Sequence, residues 1–151
     1  MRLLLSSLLV HVIATSVAPS PWWVPDLTLV GLILAITRRP VHWLMLSGVA
    51  GLWTASWAIR FPVPMLLGAV LLGWVVHLLV MQWDLTDLRV QSLIVGAASL
   101  LGTLGGLWLE ARWSLALLVL VMAHALITGC AVPCIRSLLD RGVRPRSEVI
   151  I

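Results

Sequence analysis

The chain reads as six apolar runs set apart by charges, prolines and short polar links: Leu3 to Val17, Trp22 to Thr37, Trp43 to Ile59, Val63 to Trp83, Val90 to Leu109 and Trp113 to Ile135. Runs of that kind leave few folds open. A helix needs about 20 residues to cross the ~30 Å hydrocarbon core of a bilayer, with ~17 as a lower limit. The last three runs meet that length. The first two are short, and the second carries Pro25 and Asp26 near its start, which suggests a tilted crossing, a locally thinned bilayer or a re-entrant element. Of the 151 residues, 61% are hydrophobic and 11% charged, against roughly 45–50% and 25% in soluble domains. Too few polar side chains remain to cover a water-exposed globule, so an apolar exterior must meet lipid. The expected fold is an all-α membrane protein, a compact bundle of about six transmembrane helices in one domain over residues 1–151. The helices are placed at 3–17, 22–37, 43–59, 63–83, 90–109 and 113–135, with 136–151 as a short basic cytoplasmic tail.

Charge sets the expected orientation. All ten basic residues are arginine. They stand singly or in pairs between apolar runs, as topology signals do, and so argue against a nucleic-acid partner. With six crossings and the N-terminus in the cytoplasm, Arg2, Arg38, Arg39, Arg89, Arg136, Arg141, Arg144 and Arg146 fall inside, and only Arg60 and Arg112 outside. Five crossings, with the second run failing to span, separate the charges less well. Both arrangements put the C-terminus in the cytoplasm. Residues 1–20 also have the layout of a cleavable signal peptide, but five further apolar runs favour an uncleaved first helix.

Six tryptophans, Trp22, Trp23, Trp43, Trp83, Trp108 and Trp113, fall at segment ends, the pattern of an aromatic belt at headgroup level. On this reading Trp22 and Trp23 mark the outer interface. Pro25 opens the second helix, where its missing N–H is no loss, and Asp26 faces the positive end of the helix dipole. All six carboxylates, Asp26, Asp84, Asp87, Glu110, Asp140 and Glu148, are expected at helix ends or in loops. Ion coupling and intramembrane hydrolysis need acids at membrane depth, so neither class is expected. His11, His77 and His124 raise a bis-histidine haem, but without an attachment motif they read better as helix-to-helix hydrogen-bonding groups. An enzymatic reading would need a serine or threonine beside one of them. Cys130 and Cys134, one turn apart, read as small packing residues, because two thiols cannot close a four-coordinate metal site. No cofactor or metal is expected.

Small residues carry the clearest packing signal. Ala98, Gly102 and Gly106 recur every fourth residue in the fifth run, as Ser47, Gly51 and Ala55 do in the third. Such stripes let helix backbones approach closely in lipid, where no hydrophobic force drives helices together. They are candidate faces for packing within the chain or against a partner helix. Trp53 and Trp57, also one turn apart, read as packing or as the wall of a ligand cavity.

Several of these residues carry a family resemblance. Pro25 and Asp26 precede an apolar run containing Leu27 and Leu29. Gly48, Gly51 and Leu52 form a G-x-x-G-L turn, and Pro62, Pro64 and Gly68 link it to the next helix. The segment AVPCIRSLLDR closes the last run. In this pattern, length and helix number the chain resembles the bacterial rod shape-determining protein MreD family. Members often place an aspartate shortly after the G-x-x-G-L turn, where this chain has Trp53, Thr54 and Ala55.

The resemblance implies a non-enzymatic scaffold of the cell-elongation machinery in the bacterial inner membrane. Its partners would be MreC and, through MreC, the RodA glycosyltransferase, a penicillin-binding transpeptidase and MreB. Chains of this family are also similar in fold to the substrate-binding subunits of energy-coupling-factor vitamin transporters, which supplies the alternative: a small-molecule-binding subunit with Trp22, Trp23, Trp53 or Trp57 near an outward cavity.

Overall fold

Proline and aspartate decide where the helices begin. In a computed structural model, which describes residues 2–18, 21–57, 61–83, 85, 87–110 and 114–142, six helices follow one another. These are α1 (Arg2–Val17), α2 (Leu27–Arg38), α3 (Trp43–Trp57), α4 (Pro62–Gln82), α5 (Leu88–Leu109) and α6 (Leu115–Gly142). Single 3-10 turns at Pro21–Trp23 and Pro40–His42 lead into α2 and α3, and the described residues include no strand. The expectations on Arg60, Asp84, Arg112, Trp113, Arg144, Arg146 and Glu148 lie outside the described residues.

The second helix starts at Leu27, five residues later than expected from the apolar run. Pro25 lies ahead of the helix rather than in its first turn. Asp26 is the N-cap, its carboxylate accepting the Leu29 N–H at 3.0 Å, so one of the orphan donors at the helix start is met there. The last helix differs in the other direction. It runs through Pro133 to Gly142, so residues 136–142 of the supposed tail are helical. Proline inside a helix removes one backbone bond, a loss that membrane helices accommodate through neighbouring groups.

Consecutive helices pair as three antiparallel hairpins, α1 with α2, α3 with α4 and α5 with α6, and α2 touches all five other helices. This makes the shortest helix the centre of the fold. Every residue from Val30 to Ile36 is buried, together with Leu27 and Thr28. Leu4 and Leu8 of α1, Leu46 and Ala50 of α3, Val76 of α4, Val95 of α5 and Val132 of α6 close around it.

Serine–glycine pairs set two of the hairpins. Ser7 on α1 lies flush against Gly31 of α2, and Ser47 on α3 against Gly73 of α4. Each hydroxyl donates to a carbonyl of its own helix, Ser7 to Leu4 and Ser47 to Trp43, both at 2.7 Å, so no polar group is left unmet at the contact. A Cβ added at Gly51 would lie 2.8 Å from Leu66 Cδ1 and 3.2 Å from the Leu66 carbonyl oxygen. The third hairpin closes on glycine alone: a Cβ at Gly129 would come 3.0 Å from the Ser92 carbonyl oxygen, and one at Gly96 3.4 Å from that of Ala125.

The outside is apolar. Leu67, Leu71, Trp74, Val75 and Leu78 of α4, Leu93 and Leu101 of α5, and Leu115, Val119, Met122 and Leu126 of α6 are all exposed. Among the described residues three helices, α4, α5 and α6, are long and apolar enough to cross a membrane. The expectation of six crossings is therefore corrected. At 16, 12 and 15 residues, α1, α2 and α3 reach only about 24, 18 and 22 Å at ~1.5 Å per residue, short of a ~30 Å core. Pro25 interrupts what composition alone reads as a continuous apolar run from Trp22 to Thr37, and α2 starts beyond it.

The close contacts predict an asymmetry between glycines. Gly129→Leu must displace backbone and is expected to destabilise the protein by about 1–3 kcal/mol. Gly102→Leu meets nothing within 4 Å and is expected to stay within about 0.5 kcal/mol of the parent, as surface changes do. Thermal or denaturant unfolding in detergent measures both; equal losses would contradict the packing described.

Candidate functional site

The start of α2 is held deep in the bundle by two polar residues of α6. The Asp26 backbone N–H donates to Thr128 Oγ1 at 3.1 Å. Four residues earlier on α6, His124 Nδ1 lies 3.1 Å from the Trp22 carbonyl oxygen, a bond that requires the tautomer with its proton on Nδ1. The Trp22 ring meets the His124 ring edge-on at 6.1 Å. Thr128 is fully buried and His124 nearly so. Thr128 stands 13 residues into α6 from Leu115, about 20 Å along its axis at ~1.5 Å per residue. The far end of α2, with Arg38, lies about 18 Å the other way on the same rise.

Asp26 stands at a helix end, as the sequence suggests, but that end lies beside the middle of α6 rather than beside its first turn. Trp22 likewise meets α6 at His124, nine residues in from Leu115. The reason is that α2 is a half-length helix that begins inside the bundle. Trp23, Trp83 and Trp108 do lie exposed at segment ends, whereas Trp43 is half-buried and stacked on His77 with ring centroids 5.5 Å apart.

Above the start of α2 lies an open cleft of about 340 Å³ between α1 and α3. From α1 it is lined by His11, Thr15 and Ser16, and from α2 by Asp26 and Thr28. Trp53, Thr54 and Trp57 of α3 form the opposite wall, the two indoles 5.9 Å apart and tilted by 60°. The hydroxyls of Thr15, Ser16 and Thr54 donate to backbone carbonyls of their own helices. His11 Nδ1 is buried with no hydrogen-bond partner among the described residues.

The opposite end of the bundle gathers arginine. Arg38 and Arg39 close α2, Arg89 opens α5 and Arg136 lies late on α6, all at the end to which the hairpins return. Gln91, 4% exposed, joins three segments there: its Oε1 accepts from Arg136 Nη1 at 3.1 Å, and its Nε2 donates to the Leu85 carbonyl at 2.7 Å. Composition gave no hint of this buried amide.

The two small-residue stripes have different fates. Ser47 and Gly51 are buried in the α3–α4 contact and Ala55 is half-buried, while Gly48 has open space where a Cβ would be. On α5, Ala98 packs against the core, but a Cβ at Gly102, Gly105 or Gly106 would touch nothing within 4 Å. The glycines that bring α5 and α6 together, Gly96 and Gly129, lie outside both stripes, as do Gly31 and Gly73. Cys130 and Cys134 are exposed and free. Among the described residues no group of three His, Cys, Asp or Glu could hold a metal ion.

Fold and site together define an all-helical bundle with three helices of membrane-spanning length, a half-length central helix and a cleft over its start. No family model, curated protein or solved structure matches the chain.

The polar clamp on α2 is directly testable. Thr128→Val removes the acceptor of the part-buried Asp26 N–H and is expected to cost about 0.5–1.5 kcal/mol, whereas Thr128→Ser keeps the oxygen and much of the stability. Unfolding midpoints in detergent separate the two; indistinguishable variants would remove the clamp.

Proposed function

We propose that the protein is a non-enzymatic adaptor of the bacterial cell-elongation machinery, embedded in the inner membrane and of the MreD type. It would bind MreC and, through it, help position RodA, a penicillin-binding transpeptidase and MreB. The observation that carries this reading is the open glycine face of α5. A Cβ at Gly102, Gly105 or Gly106 would meet nothing within 4 Å, which leaves a backbone strip open beside the exposed Leu101 and Trp108. A strip of that kind lets a second helix approach closely in lipid. The residues shared with the family pattern, Pro25, Asp26, Gly48 and Gly51, support the same reading; Asp26 caps the central helix and Gly51 closes the α3–α4 contact.

In this proposal the arginine end faces the cytoplasm, following the positive-inside rule. Arg2 begins α1 and Gly142 ends α6 at that same end, so both termini would be cytoplasmic. The short helices α1 to α3 would then sit within a body anchored by α4, α5 and α6.

The cleft favours a second reading, a substrate-binding membrane subunit of a small-molecule transporter. Its volume falls at the lower end of the ~300–1,000 Å³ typical of ligand pockets, and it combines aromatic walls with a few polar groups as such pockets do.

One experiment weighs both. Under the adaptor reading the protein co-purifies with MreC in mild detergent, and Gly102→Leu, which leaves the bundle intact, lowers that capture at least tenfold. A chain that fails to capture MreC yet carries one non-lipid solute per molecule by native mass spectrometry would move the assignment to the second reading.

A further inference from the structure

The cleft over the start of α2 sets one carboxylate, several hydroxyl oxygens and two indole rings around one space, with His11 on the α1 side. The hydroxyl hydrogens of Thr15, Ser16 and Thr54 are committed to backbone carbonyls at 2.9, 2.7 and 3.1 Å, which leaves only oxygen lone pairs to face a ligand. Asp26 uses Oδ1 to cap Leu29, and its second carboxylate oxygen has no partner among the described residues. Thr28 is 4% exposed, lines the cleft, and its hydroxyl is likewise unengaged. No arginine stands among the described lining residues; His11 is the basic side chain among them, set on the α1 wall across from the indoles. The remaining wall is the Trp53–Trp57 pair, whose ring faces attract cations.

From this geometry we infer that the cleft is a binding site for a small organic ammonium ion, a protonated or methylated amine seated between the two indoles and the free oxygen of Asp26. The carboxylate supplies the counter-charge, the indole faces hold the alkyl or methyl shell, and the lone pairs of Thr15, Ser16 and Thr54 receive N–H groups. The positive end of α2 already has its anion in Asp26, which weakens the attraction for a second anion. About 340 Å³ holds a group the size of choline or ethanolamine with water to spare. The same chemistry is offered by a free amine and by the ethanolamine headgroup of a phospholipid. This assignment deepens the transporter-subunit reading, on whose cleft it rests, and leaves the adaptor reading untouched.

The test uses the full chain in nanodiscs of phosphatidylglycerol, which contain no ammonium. Choline is titrated by calorimetry beside 3,3-dimethylbutanol, its uncharged counterpart of the same shape. Choline should bind saturably and the alcohol at least tenfold more weakly. Asp26→Asn keeps an equally good N-cap and should lose at least tenfold in choline affinity with an unchanged unfolding midpoint. Trp57→Leu, at a residue that is 66% exposed, should weaken choline several-fold and likewise leave stability alone. Repeating the titration in phosphatidylethanolamine nanodiscs separates the sources: a drop in choline affinity there marks the lipid headgroup as the occupant, and no change marks a free amine. Equal binding of choline and the alcohol, or full choline affinity in Asp26→Asn, overturns the ammonium assignment. Tight binding of an anionic or uncharged solute in place of choline overturns it too, but leaves the transporter-subunit reading standing.

Discussion

A helix that begins part-way along an apolar bundle must find partners for its first backbone N–H groups, since its packed side meets neither bulk water nor another helix's carbonyls. In this protein Asp26 and Thr128 answer that constraint. The carboxylate of Asp26 takes the Leu29 N–H, and Thr128 takes the N–H of Asp26 itself. His124 meets the carbonyl of Trp22 one turn away on the same face of α6. With the start of α2 fixed in this way, twelve residues suffice to fill the centre of the bundle. The other five helices pack around that short rod.

The half-length helix has two consequences. Beyond its start the bundle has no central helix, so α1 and α3 face each other across a cleft. Beyond its end, Arg38 and Arg39 join Arg89 and Arg136 at one pole, where Gln91 ties the α4–α5 link to α6. Polar side chains therefore gather in two places, a cleft holding Asp26 and His11 on one side and a cationic pole on the other. Between them, the exterior of α4, α5 and α6 is almost wholly apolar. The open strip on α5 is the exception in shape, where a second helix could come close.

Much of the fold was legible in the chain. The apolar runs marked all six helices, and the ends of α1, α4 and α5 fall within two residues of where the runs stop. The bounds of α2 were not legible, because hydrophobicity continues through Trp22, Trp23 and Val24 while Pro25 and the Asp26 cap delay the helix. Run length alone therefore overstated the number of crossings. Small-residue spacing located the α3–α4 contact at Ser47 and Gly51, but on α5 it pointed to Gly102 and Gly106, where an added Cβ would meet nothing within 4 Å. Spacing records only which residues share a helix face; which face meets a neighbour is decided by partners such as Gly129, distant in sequence. The cleft residues were visible one by one, with Trp53 and Trp57 noted as a possible wall. Their meeting with His11 and Asp26 depends on the depth of α2, which no local pattern encodes.

That depth is most directly measured by cross-linking. In a background with Cys130 and Cys134 replaced by alanine, Asp26→Cys is paired in separate variants with Thr128→Cys and with Leu115→Cys, and the membranes are oxidised. Efficient disulfide formation between positions 26 and 128, with none between 26 and 115, is the predicted result. Linkage to position 115 instead would place the start of α2 at the outer edge of the bundle, and the half-length central helix, its polar clamp and the cleft above it would fall together.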